Sequence, residues 1–347
     1  DLNLQRRIEH GFRRHIDAQP EGAPVDAGLV VLDPSTGAVL AMIGAPDYTA
    51  PEMGQLNITT TARHPGSALK PFLYALALED GATPASLAND SLAAVPGYHP
   101  GKRPRERGPA RYREALAGSY NLAALDVLES VKPGRLLERL RVAGLGPLPG
   151  TGSDYGLSLA LGAGRVRLVD LAAAYGAFVT GGLVTSPRAT TREPTLTTRV
   201  FSREVSWLVL DMLADGGARR TAFGATLPFD LPFPVAAKTG TSSGFADTLA
   251  IAATREVVVA AWAGSFDGRG TRGRLAMWSA APLVRLALLA AAEDHGGRLE
   301  LPAPPEGIVA GDVCTVTGQR AGAACPHKRE WFVRGTVPAE LCPRHPE

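Results

Sequence analysis

The chain has 347 residues, of which 45% are hydrophobic and 20% charged, and its formal net charge is +2. That length allows two or three domains of about 100–200 residues each, with apolar content enough for a sizeable core. The near-balanced charge argues against nucleic-acid or membrane-surface binding. No apolar run reaches the roughly 18–20 residues of a membrane-crossing helix; the nearest, Leu157–Thr180, is interrupted by Arg165, Arg167 and Asp170.

The chain opens Asp1-Leu2-Asn3 without a methionine or a secretory signal, which reads as a fragment whose targeting segment is missing. Leu4, Ile8, Phe12 and Ile16 recur at helical spacing, so Asp1–Gln19 is expected to be an amphipathic helix. Ala27–Leu32 and Ala38–Ile43 are short apolar strands joined into a hairpin by Asp33-Pro34-Ser35-Thr36-Gly37. Ala45–Arg63 is a polar loop. Pro65-Gly66 then turns into an almost wholly apolar helix that runs to about Glu79 and is stopped by Gly81.

Asn89–Arg113 is rich in Pro, Gly and Arg. Its basic cluster (Lys102, Arg103, Arg105, Arg107, Arg111 and Arg113) is either a solvated face or an attractor of anionic polymers or substrate carboxylates. Tyr112–Gly118 starts a helix, with Ser119-Tyr120-Asn121 inside or beside it. Leu122–Leu145 continues helical and breaks at Pro133-Gly134. Gly162-Ala163-Gly164 lacks the full dinucleotide fingerprint and the Walker lysine, so it reads as a tightly packed turn before the helix Leu168–Thr180. Ser202–Ala214 is another helix, and Pro234–Thr241 is a strand with a polar end. Leu249–Ala253 and Val257–Trp262 form a hairpin, and Ala280–Glu293 is a closing apolar helix. Pro302-Ala303-Pro304-Pro305 links this body to a cysteine-bearing tail, giving expected domains of 1–300 and 301–347, the second read as a truncated module.

Chemistry concentrates at Ser67-Ala68-Leu69-Lys70. Residues three apart on a helix share a face, with Cβ atoms roughly 5–6 Å apart. An amine at that distance can take the proton of a serine hydroxyl and activate it as a nucleophile. Backbone N–H groups of a first helical turn favour the negative charge that then develops. Ser-x-x-Lys is a loose pattern, and the plainer reading is a solvated helix face. Against it, the chain uses lysine at only five positions, Lys70, Lys102, Lys132, Lys238 and Lys328. The run Pro71–Leu78 is apolar all round and so belongs to a buried helix. A buried lysine loses its proton more readily, which arginine effectively cannot do.

Two further groups follow in order, Ser119-x-Asn121 and Lys238-Thr239-Gly240. The three together are the mark of penicillin-binding proteins and serine β-lactamases. With Asp33–Gly44, the Arg63–Ser67 lead-in, Leu157–Gly182 and Lys238–Asp247, residues 1–295 resemble the class A penicillin-binding proteins. Thr241–Asp247, Trp262–Asp267 and Ala280–Leu283 are most similar to the 1C subgroup. The resemblance implies an α+β fold of the penicillin-binding and serine β-lactamase type, an antiparallel sheet flanked by helices with an all-α subdomain. It implies a D,D-transpeptidase that crosslinks peptidoglycan stem peptides on the periplasmic face of the bacterial inner membrane, without a cofactor. Its partners would be a D-Ala-D-Ala donor and an amine acceptor, and β-lactams would acylate the same serine. The glycosyltransferase domain and membrane anchor of such a protein would precede residue 1.

By that resemblance Ser67 is the nucleophile and Lys70 its general base. Ser119 relays the proton to the leaving amine, and Asn121 holds Lys70 and the substrate amide. Lys238 stays charged, keeps Lys70 neutral and attracts the terminal carboxylate, which the Thr239 and Thr241 hydroxyls bind. Gly240 lets substrate backbone approach, and the N–H groups of Ser67 and Thr241 form the oxyanion hole. The sequence departs from the family pattern at Tyr120, at Ala246 and in the short, basic loop before Ser119.

Cys314, Cys325, Cys342 and His345 match a Cys3His zinc set by residue type, without a Cys-x2-Cys knuckle. One disulfide and a spare cysteine is the plainer reading in an oxidising periplasm. The rival functions are a D,D-carboxypeptidase or serine β-lactamase, a non-catalytic β-lactam or muropeptide sensor, and a structural domain with degenerate motifs. A class A β-lactamase also needs a water-activating glutamate, for which no loop is evident.

Overall fold

The computed structural model describes residues 1–19, 26–51, 53–96, 98–99, 104–271 and 273–345; Lys102 and Arg103 of the basic cluster lie outside them. Helix α1 (Leu2–Asp17) opens on Asp1, whose carboxylate accepts from the N–H groups of Asn3 and Leu4. Strands β1 (Asp26–Leu32) and β2 (Val39–Ile43) form the expected hairpin. The Asp33 carboxylate fixes its turn by accepting from the backbone and hydroxyls of Ser35 and Thr36. A 3-10 turn, Gly66–Leu69, runs directly into α2 (Lys70–Glu79). Strands β3 (Leu87–Asp90) and β4 (Gly108–Arg111) pair with each other, followed by α3 (Tyr112–Ala117), α4 (Asn121–Val131) and α5 (Pro133–Val142). The short α6 (Gly152–Tyr155) precedes α7 (Leu168–Val179). Strands β5 (Leu183–Thr185) and β6 (Thr197–Arg199) pair before α8 (Arg203–Ala214) and α9 (Gly216–Phe223). The chain then returns as β7 (Ala236–Thr241), β8 (Asp247–Ala253) and β9 (Val258–Gly264), followed by α10 (Ala276–Ser279) and α11 (Ala281–Glu293).

The central sheet is antiparallel throughout, in the order β2-β1-β9-β8-β7. Its inner strands are apolar at nearly every position because both faces are covered, although antiparallel sheets often leave one face to water. Alternation divides their side chains between two cores. Leu29, Val31, Val259 and Ala261 face α1 and α11, whereas Val30, Leu32, Val258 and Trp262 face the helical side built on α2, α7 and α8. Helix α2 is the axis of that side. Phe72 meets the rings of Tyr175, Phe178 and Phe201 at 5.7, 5.3 and 6.3 Å between centroids.

The helical part also holds the two ladders β3–β4 and β5–β6, beyond the all-α expectation. The break between α4 and α5 falls at Lys132, held at φ +77°, one residue before Pro133. Among the described residues of the basic loop, Arg105 is exposed and three other arginines are paired. Arg107 pairs with Asp90, Arg111 with Glu114, and Arg113 with Asp211 and Glu330, all in contacts that draw the cations inward.

The tail forms a separate antiparallel pair, β10 (Ile308–Cys314) and β11 (His327–Val333). It docks on the helical side through Glu330, which is buried and accepts from Arg113 Nε at 2.7 Å. Trp331 meets Trp207 edge-on at 5.6 Å. Because α2 has no solvated face, its aromatic contacts cannot relax into water. We expect Phe72→Ala to lower the unfolding free energy by about 3–5 kcal/mol in denaturant titrations.

Candidate active site

Three segments remote in sequence meet around the Ser67 turn. Gly66 sits at φ +55°, and a Cβ there would come within 2.7 Å of Thr241 backbone atoms. Gly240 is constrained from the other side, since its Cβ would stand 2.0 Å from the Pro65 carbonyl oxygen. Gly240 therefore permits a close approach of the serine turn itself. The Tyr175 hydroxyl anchors the same turn by donating to the Ala68 carbonyl at 2.6 Å. Gly162 also packs against Gly66, as its reading as a tight turn requires.

Ser67 is half-buried at the front of this assembly, and Lys70 is wholly buried behind it. The Lys70 ammonium has three donors, and three acceptors surround it: the carbonyls of Ser119 and Tyr120, both at 2.9 Å, and Asn121 Oδ1 at 2.7 Å. Ser119 can present its carbonyl this way because it occupies the left-handed region, φ +58°, between α3 and α4. On the far side of that turn, Lys238 Nζ donates to Ser119 Oγ at 2.8 Å and to the Thr239 carbonyl at 2.8 Å. Lys70, Ser119, Asn121 and Lys238 are thus joined by hydrogen bonds, and Ser67 lies in the 3-10 turn that leads into Lys70. β7 is the edge strand of the sheet and leaves an open side. Thr239 is buried on it, and the Thr241 hydroxyl accepts from the Ala276 N–H at 3.2 Å while keeping its own proton free.

Burial, then the charge of Lys238, hold the Lys70 amine well below the usual lysine range, against the opposing pull of Asp90. Burial, then Arg219, lower Lys238 to about 7. Near neutrality Lys238 is therefore poised between its charge states.

Residues 27–269 match the family described as penicillin binding protein transpeptidase domain, and residues 304–347 match the penicillin-binding protein 1A C-terminal domain. The chain belongs to the penicillin-binding protein transpeptidase family. It is 32% identical over 98% of its length to penicillin-binding protein 1C of Escherichia coli, covering 44% of that protein. It is 26% identical over 99% of its length to penicillin-binding protein 2D of Bacillus subtilis, covering 51% of it. The chain thus spans about half the length of these curated relatives and is class A-like along its whole extent. The fold matches penicillin-binding protein 1A of Haemophilus influenzae with TM-score 0.74 at 23% identity, over 91% of this chain and 54% of that one. It also matches PonA1 of Mycobacterium tuberculosis with TM-score 0.71 at 20% identity, over 88% of each chain.

Several supporting residues were not evident from sequence. Asp90 is buried beneath the Ser119 turn, where it accepts from the Ala123 N–H at 3.1 Å and pairs with Arg107 at 3.0 Å. Arg107 in turn lies 4.1 Å from the Tyr120 ring centroid, which gives the unusual tyrosine of this transpeptidase domain a partner. Arg219 is buried beside Lys238 and is itself lowered to about 10 by desolvation. These residues belong to Pro/Gly-rich or amphipathic stretches, where no periodicity distinguishes an inward charge from a solvated one. Cys314, Cys325, Cys342 and His345 converge in the C-terminal module, where no two of the cysteines are joined as a disulfide.

Adding one methyl at Gly240 drives it into the Pro65 carbonyl. We expect Gly240→Ala to destabilise the fold by roughly 1–3 kcal/mol, read as a lowered melting temperature with the helical circular dichroism retained.

Proposed function

We propose that this chain is a peptidoglycan D,D-transpeptidase working through a Ser67 acyl-enzyme. The observation that carries the reading is the buried Lys70 amine, caged by the Ser119–Asn121 turn whose own hydroxyl is held by Lys238. Residues 1–300 would be the catalytic unit and 301–347 an appended module, acting on the periplasmic face of the inner membrane.

Catalysis requires Lys70 to be neutral, and a neutral amine has two donors and one lone pair. One of its three acceptor contacts must then be given up to free that lone pair for the Ser67 hydroxyl. Ser67 Oγ bonds to the carbonyl carbon of the penultimate D-alanine while Lys70 takes its proton. The oxyanion forms against the Ser67 and Thr241 N–H groups. The tetrahedral intermediate collapses with loss of the terminal D-alanine, whose nitrogen is protonated through Ser119. A stem-peptide amine then attacks the ester, returns the proton along the same path and restores Ser67. Asn121 bridges Lys70 and the substrate amide. Charged Lys238, with the Thr239 and Thr241 hydroxyls, holds the terminal carboxylate, and binding of that anion favours the protonated lysine.

β-Lactams present the same acyl and carboxylate groups and should be trapped on the same atom. Mass spectrometry after penicillin treatment is expected to find one adduct, on the peptide containing Ser67, absent from Ser67→Ala. An adduct on any other residue removes the assignment. With glycan strands bearing pentapeptides, a transpeptidase yields crosslinked dimers. Release of D-alanine without dimers, or rapid turnover of penicillin, identifies a carboxypeptidase or β-lactamase instead. Labelling of Ser67 without either product identifies a sensor.

The two amines also set a pH window. Activity falls at low pH as Lys70 gains its proton, and falls at high pH as Lys238 loses its own. In the free enzyme the second loss is centred near pH 7, so kcat/KM for acylation should decline through and above neutrality. Lys238→Arg, whose cation does not titrate in this range, should lose that alkaline limb. An unchanged limb in the variant would disconnect it from Lys238.

A further inference from the structure

The transpeptidase reading leaves one cluster without a task. Cys314 ends β10, Cys325 lies two residues before β11, and Cys342 and His345 lie on the C-terminal strap. The strap is sewn to the hairpin loop by backbone hydrogen bonds between Arg320 and both Glu340 and Cys342, at 3.1 and 2.9 Å. The three sulfurs and the His345 ring nitrogen all fall within 4.8 Å of one another. His345 Nδ1 stands 3.5 Å from Cys314 Sγ, 3.7 Å from Cys325 Sγ and 3.3 Å from Cys342 Sγ.

These separations are those of a tetrahedron around one ion. With Zn–S bonds of about 2.3 Å and Zn–N bonds of about 2.0–2.1 Å, tetrahedral angles put nitrogen about 3.5 Å from each sulfur. All three cysteines are buried. Backbone N–H groups of Val316 and Thr317 are directed at the Cys314 sulfur, that of Gly322 at Cys325 and that of Arg344 at Cys342. Donors of this kind satisfy thiolate lone pairs left over after metal ligation, and they also orient the ligands. A disulfide would consume two sulfurs and leave a thiol and an imidazole facing them.

The module has a small apolar interior of its own. Its own apolar interior is Val313 and Phe332, with Val309 at the margin and Ala85 supplied by the main body. Segments near 40 residues usually need disulfides, metals or oligomerisation to hold a fold. We propose that Cys314, Cys325, Cys342 and His345 form a structural Cys3His zinc site that closes the C-terminal module. Soft thiolates in a closed four-ligand set select zinc over magnesium or calcium. Loading from three protonated thiols and a neutral imidazole releases three protons and leaves a complex of net charge −1.

The test uses the whole 347-residue chain purified under reducing conditions. Elemental analysis is expected to give about one zinc per chain. Exchange with cobalt(II) should produce the visible bands of a tetrahedral thiolate complex. His345→Cys should keep the ion with a spectrum shifted toward four sulfurs, whereas Cys325→Ser should retain less than about a tenth of it. Penicillin labelling at Ser67 reports separately whether each variant's main body is folded. Three freely titrating thiols without bound zinc or a tetrahedral cobalt spectrum would overturn the site, as would a disulfide found by mass spectrometry of the unreduced chain.

Discussion

A primary amine stripped of water sits between the ends of three segments far apart in sequence. Isolated ammonium burial is costly enough that such a group either finds acceptors or gives up its charge. Lys70 is held between those outcomes. Carbonyls of Ser119 and Tyr120 and the Asn121 amide favour its proton, while burial and Lys238 oppose it. Much of the molecule follows from keeping that balance. Helix α2 must be apolar on every face, so it must run through the middle of the helical side. The Ser67 turn must touch β7, so Gly66 and Gly240 must lack side chains. Ser119 must turn its carbonyl inward, so its backbone accepts a left-handed conformation that non-glycine residues rarely adopt.

The same need explains a second buried lysine. Two cations a few ångströms apart in a low dielectric cannot both be charged cheaply. Lys238 adds to burial in lowering Lys70, while Lys238 is itself lowered by burial and by Arg219. In water-filled surroundings these interactions would be screened to little. Buried as they are, they keep their strength.

The parts legible in the sequence are those with local chemistry. Hairpin β1–β2 announced itself through Asp33 to Gly37, α2 through an unbroken apolar run, and the three motifs through residue type and spacing. What escaped depends on long-range pairing. The short strands β3–β4 and β5–β6 have too few residues for alternation to show and pass through proline-rich stretches. The basic loop looked like a solvated patch because a sequence does not reveal that Arg107 meets Asp90, or that Arg113 meets carboxylates from α8 and β11. At Gly240 the sequence signalled close backbone approach, and the structure shows that the Pro65 carbonyl makes one.

Arg113 joins the two parts of the chain. Its guanidinium donates to Glu330 of the C-terminal module and to Asp211 of α8, and it lies on α3, the helix that ends at the Ser119 turn. These partners raise the Arg113 pKa despite its burial, which on its own would lower it. A buried ion pair of this kind is weak evidence of net stability, because desolvation offsets much of the attraction. Its asymmetry matters more: withdrawing Glu330 would leave α3 with a buried cation short of one partner. The seating of the module and the position of the Ser119 turn are in this way subject to the same electrostatic constraint. A tail whose own apolar core is too small to hold it still is thus tied, through one arginine, to the backbone that surrounds the buried amine.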